Sequence, residues 1–340
     1  MLVIPKADRY SRQIRFAPFG PEGQERLSQS TAAIVGCGAL GTVQAALLAR
    51  AGVGTIHLID RDYVEESNLQ RQVLYTEADA RDAIPKAIAA RRHLLEANSS
   101  VRIEAHVKDL NPGNADELLG PAQAILDATD NFETRLLIND YAVRGRVPWI
   151  YGAAVASYGI AMPLILNDFA CFRCIYPDPP VGAQPTCETA GVLGPVTSLI
   201  ASIQAMEAIK ILSGRASTVR PTIFTADLWN GPIRETAMPP RDPDCPCCGR
   251  GEYPWLNGKR APVSLCGRNA VQIHELRRPL DFAVLAGRLE GLGAIRSNEF
   301  ALRFTVDGYE LTLFPDGRAI IKGTTDIGVA RGIYAKYIGN

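Results

Sequence analysis

The stretch Thr31-Ala-Ala-Ile-Val35, Gly36-Cys37-Gly38-Ala39-Leu40-Gly41, Thr42-Val-Gln-Ala-Ala-Leu-Leu-Ala49 constrains this chain more than any other. An apolar run, a glycine turn and an apolar helical run read as strand, tight turn and helix. Glycines at 36, 38 and 41 let backbone N–H groups approach a phosphate chain at a helix N-terminus, where the dipole favours anions. A second apolar strand, Gly54-Thr-Ile-His-Leu-Ile59, ends in Asp60, at the spacing where a carboxylate usually holds the ribose hydroxyls of an adenosine. Together these features specify an adenine nucleotide without saying which.

The next stretch separates ATP from NAD. It runs Asp60-Arg-Asp62-Tyr-Val-Glu-Glu-Ser67-Asn68-Leu69-Gln70-Arg71-Gln72, with Lys86 following in Ile84-Pro85-Lys86-Ala87. A pyrophosphate between two nucleosides is served by the loop and the helix dipole, whereas a reacting triphosphate develops charge that Arg, Lys and a metal must offset. Arg71 and Lys86 can supply that; the blander alternative is that both are solvated surface charges.

From Ala32 to about Phe169 apolar strands alternate with amphipathic helices, the helices at 40–51, 85–97, 114–119 and 131–143. Such alternation implies βαβ units and an α/β, Rossmann-like, mostly parallel sheet with helices on both faces. Ligands then sit beyond the carboxyl ends of the strands, which Gly36, Asp60 and Asp130 all follow. Residues 1–28 read as a polar arm with one helix, 29–250 as the nucleotide-binding domain and 263–340 as a small α+β domain. The connection, rich in Pro, Gly and Cys from 236 on, has its linker at 251–262. Asp307-Gly308 joins two alternating strands as a hairpin turn.

The chain has 340 residues, with 36 basic against 36 acidic side chains, so no electrostatic footprint for nucleic acid exists. No signal-peptide pattern opens it, and the apolar stretch 191–212 carries Gln204, Glu207 and Lys210, reading as a buried helix rather than a membrane span. A soluble, cytoplasmic protein is expected.

Eight cysteines in such a protein point to metal and catalysis rather than disulfides. Cys171, Cys174, Cys245 and Cys248 form two C-x-x-C pairs that can give a closed tetrahedral thiolate zinc site pinning the second half of the domain; a redox pair is the alternative. Cys247 makes the second pair ambiguous, and Cys-x-x-Cys-Gly favours 245 and 248. Asp130, just past the strand Ala124-Leu126, can hold Mg²⁺ or can N-cap the next helix. Asp127 reads as structural. The four histidines, at 57, 93, 106 and 274, lie in no triad-like arrangement.

The motifs stand in the order of the ThiF/MoeB/HesA adenylyltransferases, bacterial relatives of ubiquitin-activating enzymes. The chain resembles them in Arg9-Tyr10-Ser11-Arg12-Gln13-Ile14, the glycine turn, the block 60–72, Pro85-Lys86, Asp127-Ala-Thr-Asp130-Asn131, the two cysteine pairs, and Thr186-Cys187-Glu-Thr-Ala-Gly191-Val-Leu-Gly194-Pro195. The resemblance spans roughly the first 250 residues. It implies ATP- and Mg²⁺-dependent adenylation of the C-terminal Gly-Gly carboxylate of a ubiquitin-like sulfur carrier (ThiS- or MoaD-like), ahead of thiocarboxylate formation for thiamin, molybdopterin or related pathways. It assigns ATP to Asp60, Asp62, Asn68, Arg71, Lys86 and Asp130, and magnesium to Asp130. Arg12 matches an arginine finger donated by a neighbouring protomer, which implies a homodimer with composite sites; the alternative is a surface pair with Glu22 or Glu25. Cys187 matches a cysteine that can take a covalent carrier adduct, and a nearby helix N-terminus is expected to favour its thiolate. Cys37 and Cys266 read as packed residues. Cys266-Gly-Arg268 does not fit a rhodanese loop, so a sulfur donor is expected to act in trans.

Two other readings compete. An NAD-dependent oxidoreductase explains the glycine turn and Asp60 but leaves Arg71, Lys86, Asp130 and the cysteine pairs unused. A non-catalytic carrier-binding homologue would usually lack the charge-neutralising set that is present here.

Overall fold

A computed structural model describes residues 9–165, 169–178, 187, 189–258, 270–273, 280–315, 317 and 319–339. The chain divides into two compact units, Met1–Ala261 and Pro262–Asn340.

In the first unit, helices α1 (Ser11–Ile14) and α2 (Gly20–Gln29) precede β1 (Thr31–Val35), α3 (Ala39–Ala51), β2 (Thr55–Ile59), α4 (Lys86–Ala97), β3 (Arg102–His106) and β4 (Ala124–Asp127). Then follow α5 (Phe132–Gly145), β5 (Trp149–Val155), β6 (Tyr158–Leu164), α6 (Gly194–Leu212), β7 (Thr222–Asp227) and β8 (Ile233–Ala237). The sheet order is β3-β2-β1-β4-β5-β6-β7-β8. Strands β3 to β5 are parallel, and β6, β7 and β8 extend the sheet antiparallel. Because β1 pairs with both β2 and β4, the strand order reverses there, and the carboxyl ends beside that reversal leave a crevice.

Both faces of the parallel half are covered. Leu27, Ile34, Leu48, Ile56 and Leu58 pack one side, and Ile125, Leu136, Ile138, Trp149 and Phe172 the other, all fully buried. Each contributes about 1.5–3 kcal/mol by leaving water. Helix α6 is the one described helix long and apolar enough to cross a membrane by length and composition. Its Gln204 shows that it is a core helix: Nε2 donates to the carbonyls of Asp127 (2.8 Å) and Ile150 (3.0 Å), and Oε1 accepts from Gln44 of α3 (2.6 Å). A side chain at Gly152 would run into that amide.

The arm is fastened to the far end of α3. Gln13 Nε2 donates to the Ala51 carbonyl (2.9 Å), Asn98 Nδ2 donates to Tyr10 Oη (2.9 Å), and the Tyr10 ring occupies the space where Gly52, at φ +89°, would carry a Cβ. Beyond β8, residues 251–258 are not a free connection as the composition suggests. Trp255 and Leu256 are buried, and Trp255 N–H donates to Asp140 Oδ2 (2.9 Å), so this stretch packs within the first unit.

The second unit is an antiparallel sheet ordered β10 (Ala294–Ser297), β11 (Leu302–Val306), β12 (Tyr309–Leu313), β13 (Ala319–Lys322), β9 (Ala270–Ile273), with helices α7 (Phe282–Leu289) and α8 (Ile327–Tyr337). Phe304, Leu311 and Tyr334 are fully buried in its core. Asp307 (φ +52°) and Gly308 (φ +80°) are both left-handed, as a two-residue hairpin turn of right-twisted strands requires. Cys266, Arg268 and His274 lie outside the described residues.

Candidate functional site

The glycine turn is built by two glycines and opened by the third. Gly36 has φ +96°, and a Cβ there would press on the Ala128 carbonyl, just past β4. Gly41 has no room either, because the Gly36 carbonyl lies against it. Around Gly38, among the described residues, only the Gln72 amide comes near, 3.9 Å from the Cβ position. The outer glycines therefore close the turn, and the middle one leaves backbone exposed to a phosphate chain at the start of α3. Gln72 itself is buried and its Oε1 has no hydrogen-bond partner among the described residues. Nothing local in the sequence marks it out from its neighbours.

Asp60 is oriented by the same turn. Its Oδ2 accepts from Cys37 N–H (2.6 Å) and its Oδ1 from Asp62 N–H (2.7 Å), leaving lone pairs for ribose hydroxyls. Burial raises its pKa; Lys86 pulls it back down and Asp62 pushes it up. Lys86, at the start of α4, is buried with Nζ 3.5 Å from Asp62 Oδ2, and its N–H donates to the Asp62 carbonyl (2.8 Å). Tyr75 Oη donates to the Cys37 carbonyl (2.7 Å) and reaches that of Lys86 (3.2 Å), so one buried phenol ties the glycine turn to the lysine.

Asn68 builds the turn between them: Oδ1 accepts from Glu65 N–H (3.1 Å), a capping role that leaves its Nδ2 only a long 3.4 Å contact with Ser67 Oγ. Arg71 is half-exposed, with one N–H donated to the Ser67 carbonyl (2.9 Å), and its backbone packs 3.9 Å from the Cβ position of Gly194 at the start of α6.

The two aspartates at the carboxyl end of β4 divide their work. Asp127 is fully buried; its Oδ1 accepts from Thr129 N–H (2.8 Å) and Oγ1 (2.7 Å), and its Oδ2 lies 3.3 Å from Arg135 Nε. Burial pushes this carboxyl up, against the pull of Arg135 and Thr129. Arg135, a buried residue the sequence reading passed over, also donates to the Thr129 carbonyl (2.6 Å) and lies over the Phe132 and Tyr151 rings. Asn131 caps α5, its Oδ1 accepting from Thr134 N–H (2.8 Å), so capping does not occupy Asp130. Asp130 is exposed at the mouth of the crevice.

Cys187 belongs to this mouth, because Arg71, Asp130 and Arg135 all act on its thiol. The expectation of a favoured thiolate is not met. Burial raises its pKa more than Arg71 lowers it, Asp130 raises it further, and Arg135 opposes. Helix α6 begins only at Gly194, and the thiol donates to the Ala154 carbonyl (3.5 Å). Residues 179–186 and Glu188 of that loop lie outside the described residues. Since a raised thiol pKa suppresses the reactive thiolate at neutral pH, the midpoint of the alkylation rate of Cys187 against pH, located by mass spectrometry, should lie above about pH 8.5, the midpoint of an ordinary cysteine. A midpoint at or below that pH would refute this.

The paired cysteines meet at the other face of the sheet. Cys171 Sγ is 3.8 Å from both Cys174 Sγ and Cys245 Sγ, and Cys174 Sγ is 3.4 Å from Cys248 Sγ. Thiolates at about 2.3 Å from a tetrahedral ion stand about 3.8 Å apart, so the four fit zinc. Cys247 is buried beside them but accepts from Asn139 Nδ2 (3.3 Å), and Asn139 Oδ1 accepts from Phe172 N–H (2.9 Å), which orients the first pair. A thiol-directed mercurial should release about one zinc per chain, and Cys174→Ser should abolish that release. A metal-free parent would point to the redox pair.

Arg12 stands apart. It is exposed on α1 and forms no ion pair among the described residues, while Glu22 lies 3.9 Å from Arg215 instead. The arm grips the C-terminal end of α3, and the glycine turn sits at the N-terminal end, thirteen residues or about 20 Å away.

The ThiF family model matches residues 10–247. The chain is 44% identical over 337 residues, covering 97% of it and 99% of the relative, to the sulfur carrier protein ThiS adenylyltransferase of Bacillus subtilis. It is 40% identical over 248 residues, 71% of the chain and 90% of the relative, to a sulfur carrier protein adenylyltransferase of Thermus thermophilus. Among solved structures it shares the fold of Escherichia coli MccB, with TM-score 0.62 and 24% identity over 74% of each chain. By the extent of the family match and the full-length likeness to the Bacillus enzyme, the chain belongs to the ThiF family.

Proposed function

We propose that this protein adenylates the C-terminal carboxylate of a ubiquitin-like sulfur-carrier protein ending in Gly-Gly. A carboxylate oxygen attacks the α-phosphorus of ATP, the bond from that phosphorus to the bridging oxygen breaks, and pyrophosphate leaves with the electron pair. No proton has to move, so the protein's task is to hold reactants in line and offset charge. The observation that carries this reading is the buried Lys86, fixed through Tyr75 to an open glycine turn and set beside Asp60 and Asp62, with Arg71, Asp130 and Cys187 gathered at the mouth. A dinucleotide site has no use for that set.

Residue roles follow. Gly36, Gly38 and Gly41 admit the phosphates; Asp60 takes the ribose; Lys86 and Arg71 neutralise the triphosphate. One exposed carboxylate plus substrate phosphates is a donor set that suits magnesium, so Asp130 would hold Mg²⁺, which when bound screens the phosphate charge. Asp62 and Asn68 act by placing Lys86 and the turn that carries Arg71. The length of α3 keeps Arg12 from its own glycine turn, which supports donation across a homodimer. Cys187 can receive the acyl group once a base removes its proton. The sulfur donor acts in trans.

Carrier-dependent ATP–pyrophosphate exchange tests the reaction. Exchange is expected with an intact Gly-Gly tail and lost when the two glycines are deleted. Exchange independent of the tail, or none with any carrier despite ATP binding, would reject the proposal.

A further inference from the structure

The edge of the large sheet carries a cluster that adenylation leaves unused. His57 of β2 pairs in register with Glu104 of β3, and His106 lies two residues further along β3, on the same face. His57 Nε2 is 3.5 Å and His106 Nε2 3.9 Å from Glu104 Oε2. The two rings stack, with His106 Nε2 3.2 Å from His57 Nδ1. One ring nitrogen of each histidine and one oxygen of the glutamate all lie within 4.8 Å of one another. His57 is buried, while Glu104 and His106 are half-buried, so the cluster has a floor and an open side.

Nitrogen and oxygen ligands at about 2.0–2.2 Å from a tetrahedral ion stand about 3.3–3.6 Å apart. The His57 Nε2–Glu104 Oε2 separation falls in that range and the His106 Nε2–Glu104 Oε2 separation exceeds it slightly, whereas the 3.2 Å ring contact is made by the other nitrogen of His57, so the two imidazoles must turn to bring one nitrogen of each to a common ion. The carboxylate is already aimed: Arg102 takes Glu104 Oε1 at 2.6 Å, which turns Oε2 toward the rings. The other nearby cation, Lys108, is held by Glu117 at 2.6 Å, so its charge is offset. Two imidazoles and one carboxylate are the donors of borderline divalent ions; magnesium and calcium favour all-oxygen shells.

We propose that His57, Glu104 and His106 form a second metal site, separate from the four thiolates, for one borderline divalent cation such as Zn²⁺, Co²⁺ or Ni²⁺, with water in the remaining position. Such an ion would clamp the outermost strand pair beside the nucleotide crevice. The His106 carbonyl accepts from Asp60 N–H (3.1 Å), so the clamp lies one backbone bond from the ribose carboxylate.

The test uses the whole chain, stripped of metal and given one equivalent of zinc for the four thiolates, then titrated with Co²⁺ by calorimetry and visible absorption. One further equivalent is expected, with weak d–d bands and no thiolate-to-cobalt charge-transfer band. His106→Ala and Glu104→Gln should each weaken it about tenfold or more. Thiolate-bound zinc content, unchanged from the parent, reports that both variants fold. No further equivalent, an equivalent bearing thiolate charge transfer, or one that His106→Ala binds as tightly as the parent does, overturns the proposal and leaves the cluster a hydrogen-bonded stack.

Discussion

Lys86→Ala is expected to lower carrier-dependent ATP–pyrophosphate exchange by about 10²–10³-fold, the usual cost of removing one preorganised charge-stabilising group. Two features place Lys86 at the upper end. Its ammonium is buried, where a charge acts through a lower effective dielectric than at the surface. It is also preorganised: Tyr75 joins its carbonyl to that of Cys37, and Asp62 takes both its Nζ and its N–H. The negative charge Lys86 offsets grows as pyrophosphate departs, so kcat should fall more than the KM for ATP rises. Removing the ammonium also leaves Asp60 without the cation that holds its pKa down, so nucleotide affinity should weaken at a higher pH as solution is acidified. A cooperative melt serves as the folding control. Exchange that stays within a few-fold of the parent would mean that Lys86 is structural and that the reaction is driven from elsewhere.

How much of this was legible in the sequence depended on how local the cause was. The glycine turn, Asp60 at a strand end and the C-x-x-C pairs are readable because φ > 0, close backbone approach and thiolate ligation each need particular residues at short spacing. Strand β8 gave no such signal: all its side chains are exposed, so no alternation marks it, and only pairing with β7 makes it a strand. The packing of 251–258 was hidden for the same reason, since Trp255 depends on Asp140, a residue more than a hundred positions away. Asn131 and Asp130 are adjacent and both can cap; the backbone geometry chose Asn131. The favoured thiolate expected at Cys187 is not met because proximity to a helix start is visible in the chain, whereas burial and the position of Asp130 are not. The fully buried Gln44 and Gln204, both on helices, look like misplaced polar residues until their partners, the carbonyls of Asp127 and Ile150, come from two strands of the sheet.

Arg12 yields the most discriminating expectation, because composite sites make two inactive variants active together. Arg12→Ala should reduce exchange by about 10³-fold or more, the scale of a donated arginine finger, and Arg71→Ala should be comparably inactive. In a twofold dimer of one Arg12→Ala and one Arg71→Ala chain, one crevice has an intact Arg71 and receives Arg12 from its neighbour, while the other lacks both. Equal mixing gives heterodimers in about half the dimers, so about a quarter of all sites, and of parental activity, should return after subunit exchange. The arm is held at the C-terminal end of α3 by Gln13 and Tyr10, about 20 Å from the turn at its other end, which an arginine side chain cannot span. Recovery near a quarter establishes donation in trans; equal and unrecoverable loss in the mixture shows that each chain uses its own Arg12, which would require the arm to leave α3.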